Sequence, residues 1–483
     1  MSLSGLEPKG LWKHFEKILS IPHCSGNETQ LGEYLLSFAK SKGLEAERDE
    51  RGNIVIKIPA TPGHEKAPVI VLQGHLDMVG EKNSDVVHDF FKDPIKVQVE
   101  GEWLTAVGTT LGADNGIGVA AGLAVSEAED LVHGPIEVLA TVDEEVGLTG
   151  AGELQPGFIK GMTLLNLDSE ELGAAYIGCA GGGDTTIKFP VTLVDIPVGT
   201  KSYTLKVAGL RGGHSGIDII EQRGNAIKIL ARILGNAMKT QPVHLAEIKG
   251  GNKRNAIPRE SFAQLNVLET AVDDLASLVE DEVEKIRAEL GGREKDLAVT
   301  IEPSETAQAK VMDGKSQNTL IDFLVAIPHV VETMSYDIEG LVETSNNLAT
   351  ISTGGNEVKI GTSTRSSIKS ALQALRDKIS ATSRLAGAEV IENDPYPGWA
   401  PDLDSNILKV VKKVHKDIFG KDPEMKAIHA GLECGIIGEK YPGMDMVSFG
   451  PWIEHPHSPE ERVNIPSVET FWKLLAAVLE ELA

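Results

Sequence analysis

The chain has 483 residues, of which 41% are hydrophobic and 24% charged, enough apolar content for sizeable cores and too much for a disordered polymer. Its formal charge of −25 argues against nucleic acid and anionic membrane surfaces as partners, because both need clustered Lys and Arg. There is no apolar run of the roughly 18 residues that span a membrane and no apolar leader after the first Met, and Cys24, Cys179 and Cys434 are too scattered for a disulfide framework or a metal knuckle, so the expectation is a soluble cytoplasmic protein.

Leu11, Phe15, Ile18 and Leu19 recur at helical spacing until Pro22, and a second helix follows through Leu31, Leu35 and Phe38. Short runs rich in β-branched residues at 54–58, 69–72, 136–140 and 163–167 read as buried strands. Between them the small, apolar stretch 116–128 reads as a helix packed closely on a sheet. This alternation predicts an α/β layer domain with a parallel or mixed sheet. A Val/Pro/Gly/Thr stretch at 191–201 reads as a hinge. Beyond it come a strand (203–207), a helix (224–233), two strands (243–248, 261–267), a helix (273–290) and a strand (297–301). That is the βαββαβ order of a ferredoxin-like sandwich. A partial echo follows, with a helix at 320–326, strands at 348–351 and 357–360, a helix at 367–385 and a strand at 388–391, which suggests a doubled module. After Pro395-Tyr396-Pro397-Gly398 the α/β character returns with a helix at 407–418 and a strand at 444–449. A final helix, with Ser467 as its expected cap, carries the apolar stripe Phe471, Leu474, Leu475, Val478 and Leu482. The reading is a discontinuous α/β domain over 1–193 and 393–483, with an α+β domain inserted at 194–392.

Acids and histidines cluster where the apolar runs stop. His75-Leu76-Asp77 follows one strand, Asp143-Glu144-Glu145 another and Asp168-Ser169-Glu170 a third, while Asp114 stands where the small apolar helix begins. In an open α/β sheet, ligands bind in the crevice beyond the carboxyl ends of the strands. One such residue alone is more often a turn residue, but four converging segments point to a ligand. Carboxylates crowded in one crevice raise each other's pKa, and a divalent cation removes that conflict. A His/carboxylate set without thiolates suits Zn²⁺, with Co²⁺ or Mn²⁺ as substitutes. Asp77 is spaced either to orient a ligating His75 or to be a solvated turn residue. Glu144 and Glu145 leave a strand pointing apart, so one can ligate while the other takes a proton from water; the plainer alternative is two exposed loop acids. His455 and His457, two residues apart after the last strand, leave the choice of ligand open.

Together, GHLDM at 74–78, TTLGADNGIG at 109–118, Glu144-Glu145, LNLDSEE at 165–171, GGHSG at 212–216, GGNKRNAIP at 250–258, HAGLECG at 429–435 and PHSPEERV at 456–463 resemble the co-catalytic di-zinc exopeptidases. Within that superfamily the similarity is to the aminoacyl-histidine dipeptidases, and it covers essentially the whole chain. The resemblance implies that His75 and Asp168 hold one cation, Glu145 and His457 the other, and that Asp114 bridges them before a cis peptide bond. It selects His457 over His455. It implies Glu144 as general base, Asp77 as the partner that orients His75, and His214 as polariser of the scissile carbonyl. Asn255, Arg365 and Gly431 would hold the substrate. The discontinuous domain would be catalytic and the inserted one a lid. The implied activity is hydrolysis of Xaa-His dipeptides such as carnosine by a metal-activated water, in a homodimer formed through the lid. Three rivals stand beside it: a broader di- or tripeptidase or N-acyl-amino-acid amidohydrolase; a non-catalytic metal- or peptide-binding protein, which the presence of Glu144 disfavours; and a two-metal phosphoesterase, disfavoured by the scarcity of Lys and Arg in these motifs.

Overall fold

The computed structural model describes residues 3–304 and 308–483. The chain divides into two compact units, one of Met1–Cys179, Trp399–Ala427 and Leu432–Ala483, the other of Ala180–Gly398 and Ile428–Gly431.

The first unit is built on an eight-stranded mixed sheet. Its centre is parallel: Ile70–His75 lies between Ile136–Thr141 and Thr163–Asn166, and Asp445–Ser448 continues beside the latter. Antiparallel strands flank this centre, with Ile54–Ile58 and Glu45–Arg48 on one side and Ala174–Cys179 on the other. Strands covered on both faces read as continuous apolar runs, and every residue of Ile70–His75 and Ile136–Thr141 is buried. The strands expected in this unit are all present, displaced by no more than three residues at their ends.

The helix expected at 116–128 runs from Ala113 to Val125, and its first turn is irregular at Asp114 and Asn115. Its small residues admit close neighbours: a Cβ on Gly116 would lie 2.9 Å from the Phe15 ring of the first helix, Lys9–Leu19. The final helix, Ile465–Glu481, begins two residues before the expected cap. Asn464, not Ser467, is that cap: its side chain accepts from the Ser467 N–H at 3.1 Å, while Pro466 occupies the first turn, where its missing donor costs nothing.

The second unit carries a nine-stranded antiparallel sheet made of two interleaved halves. In one half, Thr200–Ala208, Val243–Gly250, Ser261–Leu268 and Ala298–Pro303 are joined through helices Ala226–Thr240 and Val272–Leu290. Numbered along the chain, these strands lie in the order 4-1-3-2, the ferredoxin-like arrangement. The other half uses Gly181–Pro190, Val342–Gly354, Glu357–Ser366 and Glu389–Glu392, with helices Gly314–Ala326 and Lys369–Leu385, in the same 4-1-3-2 order. The module is therefore doubled, and the first strand of the second copy precedes the whole of the first copy in sequence. The stretch 191–201 connects strands belonging to two different halves. Leu205, Ile227, Leu230, Leu234, Leu265, Leu348 and Ile360 are fully or almost fully buried in one continuous core under this sheet.

Candidate metal centre and candidate substrate residues

The parallel strands of the first unit end together, and this brings the acidic segments to one place. His75 is the last residue of its strand. Its Nε2 lies 3.1 Å from Asp114 Oδ1 and 3.2 Å from Asp168 Oδ1. The other Asp114 oxygen, Oδ2, lies 3.2 Å from His457 Nε2, which is 2.9 Å from Glu145 Oε1. Two triads result, His75/Asp114/Asp168 and Asp114/Glu145/His457, and Asp114 belongs to both. Glu144 groups with His75 and Glu145. His455 belongs to neither triad.

Backbone geometry explains how one chain does this. The Asp114–Asn115 peptide is cis, and His457 has a left-handed φ of 59°. Asn115 ties the strand ends together: its Oδ1 accepts from the His75 N–H at 3.3 Å and its Nδ2 donates to the Leu167 carbonyl at 2.7 Å. Gly74 leaves room for that amide, since a Cβ there would meet Asn115 Oδ1 at 2.2 Å. Asp77 acts in two directions. Its backbone carbonyl is 2.9 Å from His75 Nδ1 and its carboxylate 3.5 Å from the same atom. The carboxylate also accepts from the backbone N–H groups of Glu144 at 2.9 Å and Glu145 at 3.2 Å, and from the Ser25 hydroxyl at 2.8 Å.

The electrostatics are those of a charge set short of positive partners. Burial pushes the Glu144 carboxyl well above its ordinary range, and the negative charges of Asp168, Glu433 and Glu145 add to the effect. Burial raises Asp168 to about 6 despite His75 beside it. Burial alone would lower His75, but Asp168, Asp114 and Asp77 hold it well above the usual imidazole value. Hydrogen bonds to Asp114 and Glu145 raise His457 to about 11. Glu145 Oε1 and Asp168 Oδ1 are buried, and each has an imidazole nitrogen, of His457 at 2.9 Å and of His75 at 3.2 Å, as its near neighbour. Imidazole nitrogens and carboxylate oxygens converging on one place, with no thiolate among them, are the donor set that a divalent cation such as Zn²⁺ takes in exchange for their protons. The residues present therefore fit a pair of divalent cations.

Within the second unit, His214 pairs with Ala256, the residue after Asn255, in a small hairpin, and a Cβ on nearby Gly216 would meet the His429 carbonyl oxygen at 2.1 Å and Arg365 Cδ at 3.2 Å. The Ser215 N–H donates to the Asn255 carbonyl at 2.8 Å, and Asn347 Nδ2 brackets Asn255 by donating to the carbonyls of Arg254 and Ala256. His214 Nδ1 accepts from the backbone N–H groups of Gly216 at 3.3 Å and Ile217 at 3.1 Å. With Nδ1 an acceptor, the ring proton of the neutral imidazole sits on Nε2. Burial and the nearby Arg365 charge lower the His214 pKa. Arg365 is 7% exposed; it donates to the Tyr396 hydroxyl at 3.0 Å, and its Nε makes no hydrogen bond. His429, inside the HAGLECG motif, is buried with its Nε2 2.8 Å from the Ser345 hydroxyl, and burial lowers it to about 3.

Sequence reasoning passed over Asn115, His429, Glu433 and Glu461. All four lie in motifs quoted above, and nothing in spacing or periodicity assigns them a task; their hydrogen bonds do. Glu433 is fully buried, accepts from Thr141 Oγ1 at 2.7 Å and from Gln73 Nε2, and is raised by burial to about 7.

A mixed sheet whose central parallel strands end at two Asp114-sharing His/carboxylate triads is the architecture of a metallopeptidase. The chain belongs to the peptidase family M20/M25/M40, whose model matches residues 71–481. It is 45% identical over 480 residues to a cytosol non-specific dipeptidase of Escherichia coli (strain K12), covering 99% of each chain. It is also 46% identical to an aminoacylhistidine dipeptidase from Vibrio alginolyticus, whose crystal structure matches with a TM-score of 0.92 over 100% of this chain and 98% of that one. An aminopeptidase PepT from Bacillus cereus, at 16% identity and a TM-score of 0.57 over 99% of each chain, shares the fold alone. The resemblance carried by the motifs is borne out, as is the expected α/β metallopeptidase fold.

Proposed function

We propose that this chain is a metal-dependent dipeptidase that hydrolyses Xaa-His dipeptides such as carnosine and other short peptides in the cytoplasm. The observation that carries the reading is the pair of triads sharing Asp114, with Glu144 beside them. The two relatives above, matched end to end and described as dipeptidases, support the activity; one described as cytosolic supports the compartment, as do three free cysteines. No helix among the described residues is long and apolar enough to cross a membrane.

In this reading His75 and Asp168 would hold one cation and Glu145 and His457 the other, with Asp114 shared by the two sites. Zn²⁺ is the first choice for such ligands, with Co²⁺ or Mn²⁺ as substitutes. When bound, the cations supply Lewis acidity, lowering the pKa of water and polarising a carbonyl. Glu144 takes the proton of the attacking water and passes it to the departing amine nitrogen. Asp77 fixes the His75 ring and the backbone of both glutamates.

The discontinuous α/β domain is the catalytic one and the inserted domain a lid that contributes the substrate-holding groups. His214 donates from Nε2 to the carbonyl oxygen as negative charge develops there. Asn255 and Gly431 add polar contacts, and Arg365 receives the C-terminal carboxylate, which favours short peptides over proteins. Two chains pair through the lid; light scattering at micromolar concentration reads the assembly.

The deciding experiment compares hydrolysis of carnosine, of other dipeptides and of tripeptides by metal-loaded and chelated protein. Dipeptide cleavage restored by metal supports the reading. Equal rates on tripeptides or N-acyl amino acids would replace it with the broader peptidase or amidohydrolase.

A further inference from the structure

Glu461 lies four residues after His457, and it is 2% exposed. Its carboxylate grips four consecutive backbone N–H groups. Oε2 accepts from Leu111 at 2.7 Å and Gly112 at 3.0 Å, and Oε1 accepts from Ala113 at 2.8 Å and Asp114 at 3.3 Å. The last three are donors that a helix start leaves without intrahelical partners, and the negative charge also meets the positive end of the helix dipole. The fourth donor belongs to the residue shared by both triads.

The same two segments meet a second time at their side chains, where Asp114 Oδ2 stands 3.2 Å from His457 Nε2. His457 needs such support. Its side chain is 50% exposed, so packing does little to hold the imidazole, and its backbone, like that of His455, takes a left-handed conformation that the turn must impose. The Glu461 N–H donates to the Ser458 carbonyl at 3.0 Å, closing a tight turn between the imidazole and the carboxylate. A short rigid turn thus joins the point where the chain grips residues 111–114 to the point where it presents His457.

We infer that Glu461 is a positioning residue for the cation pair: by clamping residues 111–114 to the turn that carries His457, it sets the spacing between Asp114 and His457. The inference rests on the proposed metal centre and adds to it a residue that touches no cation. Removing the clamp lets the Asp114 loop and the His457 turn drift apart, which weakens the Asp114/Glu145/His457 site more than the His75/Asp114/Asp168 site. Residues that orient ligands from behind typically change metal affinity by about 10- to 100-fold.

The test is titration of metal-free wild type, Glu461→Gln and Glu461→Asp with Co²⁺, followed by absorption and by calorimetry, with Tm, kcat and KM measured on the same samples. Gln keeps the size but turns a donor toward N–H groups; Asp keeps the charge but is one methylene too short. The expected result is two binding steps in wild type, and in both variants one step weakened about 10- to 100-fold while the other changes little. kcat should fall at limiting metal and recover with excess Co²⁺, and KM should stay within about threefold. Both steps at wild-type affinity in a folded variant, whatever its Tm, would overturn the inference and leave the metal centre standing. A wild type that binds no second cation would overturn both. If Glu461→Gln does not fold, the Glu461→Asp titration alone decides.

Discussion

The two nitrogens of His214 can be separated by substitution, and the structure says what each should cost. Nδ1 accepts two backbone N–H groups, and Nε2 carries the proton that the proposed mechanism uses. His214→Asn puts an oxygen near the position of Nδ1 and nothing at that of Nε2. His214→Gln puts an amide N–H near the position of Nε2 and nothing at that of Nδ1. Loss of a donor to a developing oxyanion costs about 3–4 kcal/mol, so His214→Asn should lower kcat by about 10²–10³-fold with KM within about threefold. Its Tm should match wild type because the loop keeps its acceptor. In His214→Gln the N–H of buried Gly216 loses its partner, whereas that of exposed Ile217 turns to water. That is worth about 1 kcal/mol, or about 2–4 °C in Tm for a unit of this size, while kcat falls only about tenfold. Steady-state kinetics on one dipeptide and thermal unfolding of both variants read all four numbers. The pH dependence adds a check. With its pKa lowered, His214 stays neutral at pH 7, and its protonation, which would aim an N–H at two N–H donors, should depress kcat only at acidic pH. If His214→Asn keeps wild-type kcat and His214→Gln proves the slower enzyme, the imidazole serves the loop and not the substrate.

Three other perturbations follow from the same geometry. Glu144→Gln should bind cations much as wild type does, since neither Asp114-sharing triad contains Glu144, yet lose about 10²–10⁴-fold in kcat; metal analysis and kinetics on one preparation check it. Cation-free protein should lose stability as pH rises from about 5 to about 8. Burial raises Asp168 to about 6 and Glu433 to about 7, and His75 is also raised, so the folded state holds protons that the unfolded chain has released and the stability from those groups disappears on deprotonation. Metal should reverse the slope, because ligands bind it deprotonated; denaturant melts at several pH values, with and without Zn²⁺, would expose a failure as parallel curves. Arg365→Ala should raise KM for a free dipeptide by about 10- to 100-fold and abolish its advantage over the dipeptide amide, which kinetics on the matched pair would show.

Much of the fold was legible because strands buried on both faces announce themselves as short apolar runs. Ile70–His75 and Ile136–Thr141 are cases in which composition alone suffices. Where the reading fell short, the reason is long-range pairing. Gly181–Pro190 alternates buried and partly exposed residues like any half-covered strand, and nothing local says that its partners lie at 357–366 and 389–392. The doubled module was visible as a repeat of element order, but its second copy starts more than a hundred residues before its remaining elements, so the sequence shows it as an echo with its first strand missing. Ser467 was a reasonable cap by residue type. Asn464 won because Pro466 fits the first turn and starts the helix earlier.

The site divides along a different line. The proposed ligands are conspicuous because a carboxylate or imidazole at the end of an apolar strand or the start of an apolar helix is chemically out of place, and His75, Asp114, Glu145 and Asp168 all stand out in this way. Residues that hold ligands from behind are hidden, because their task is defined by the backbone they grip and not by their neighbours in sequence. Glu461 sits next to Glu460, in the same motif and with the same side chain. One spans to the loop at 111–114 and is buried; the other is exposed, and its backbone N–H donates to the Ser458 hydroxyl. Asn115 reads as the polar start of a small-residue helix, yet it bridges two strand ends through the space that Gly74 leaves open. The identities of these residues are therefore constrained by the backbone they hold, and a substitution that leaves every proposed ligand in place can still alter the proposed centre by moving the backbone that carries it.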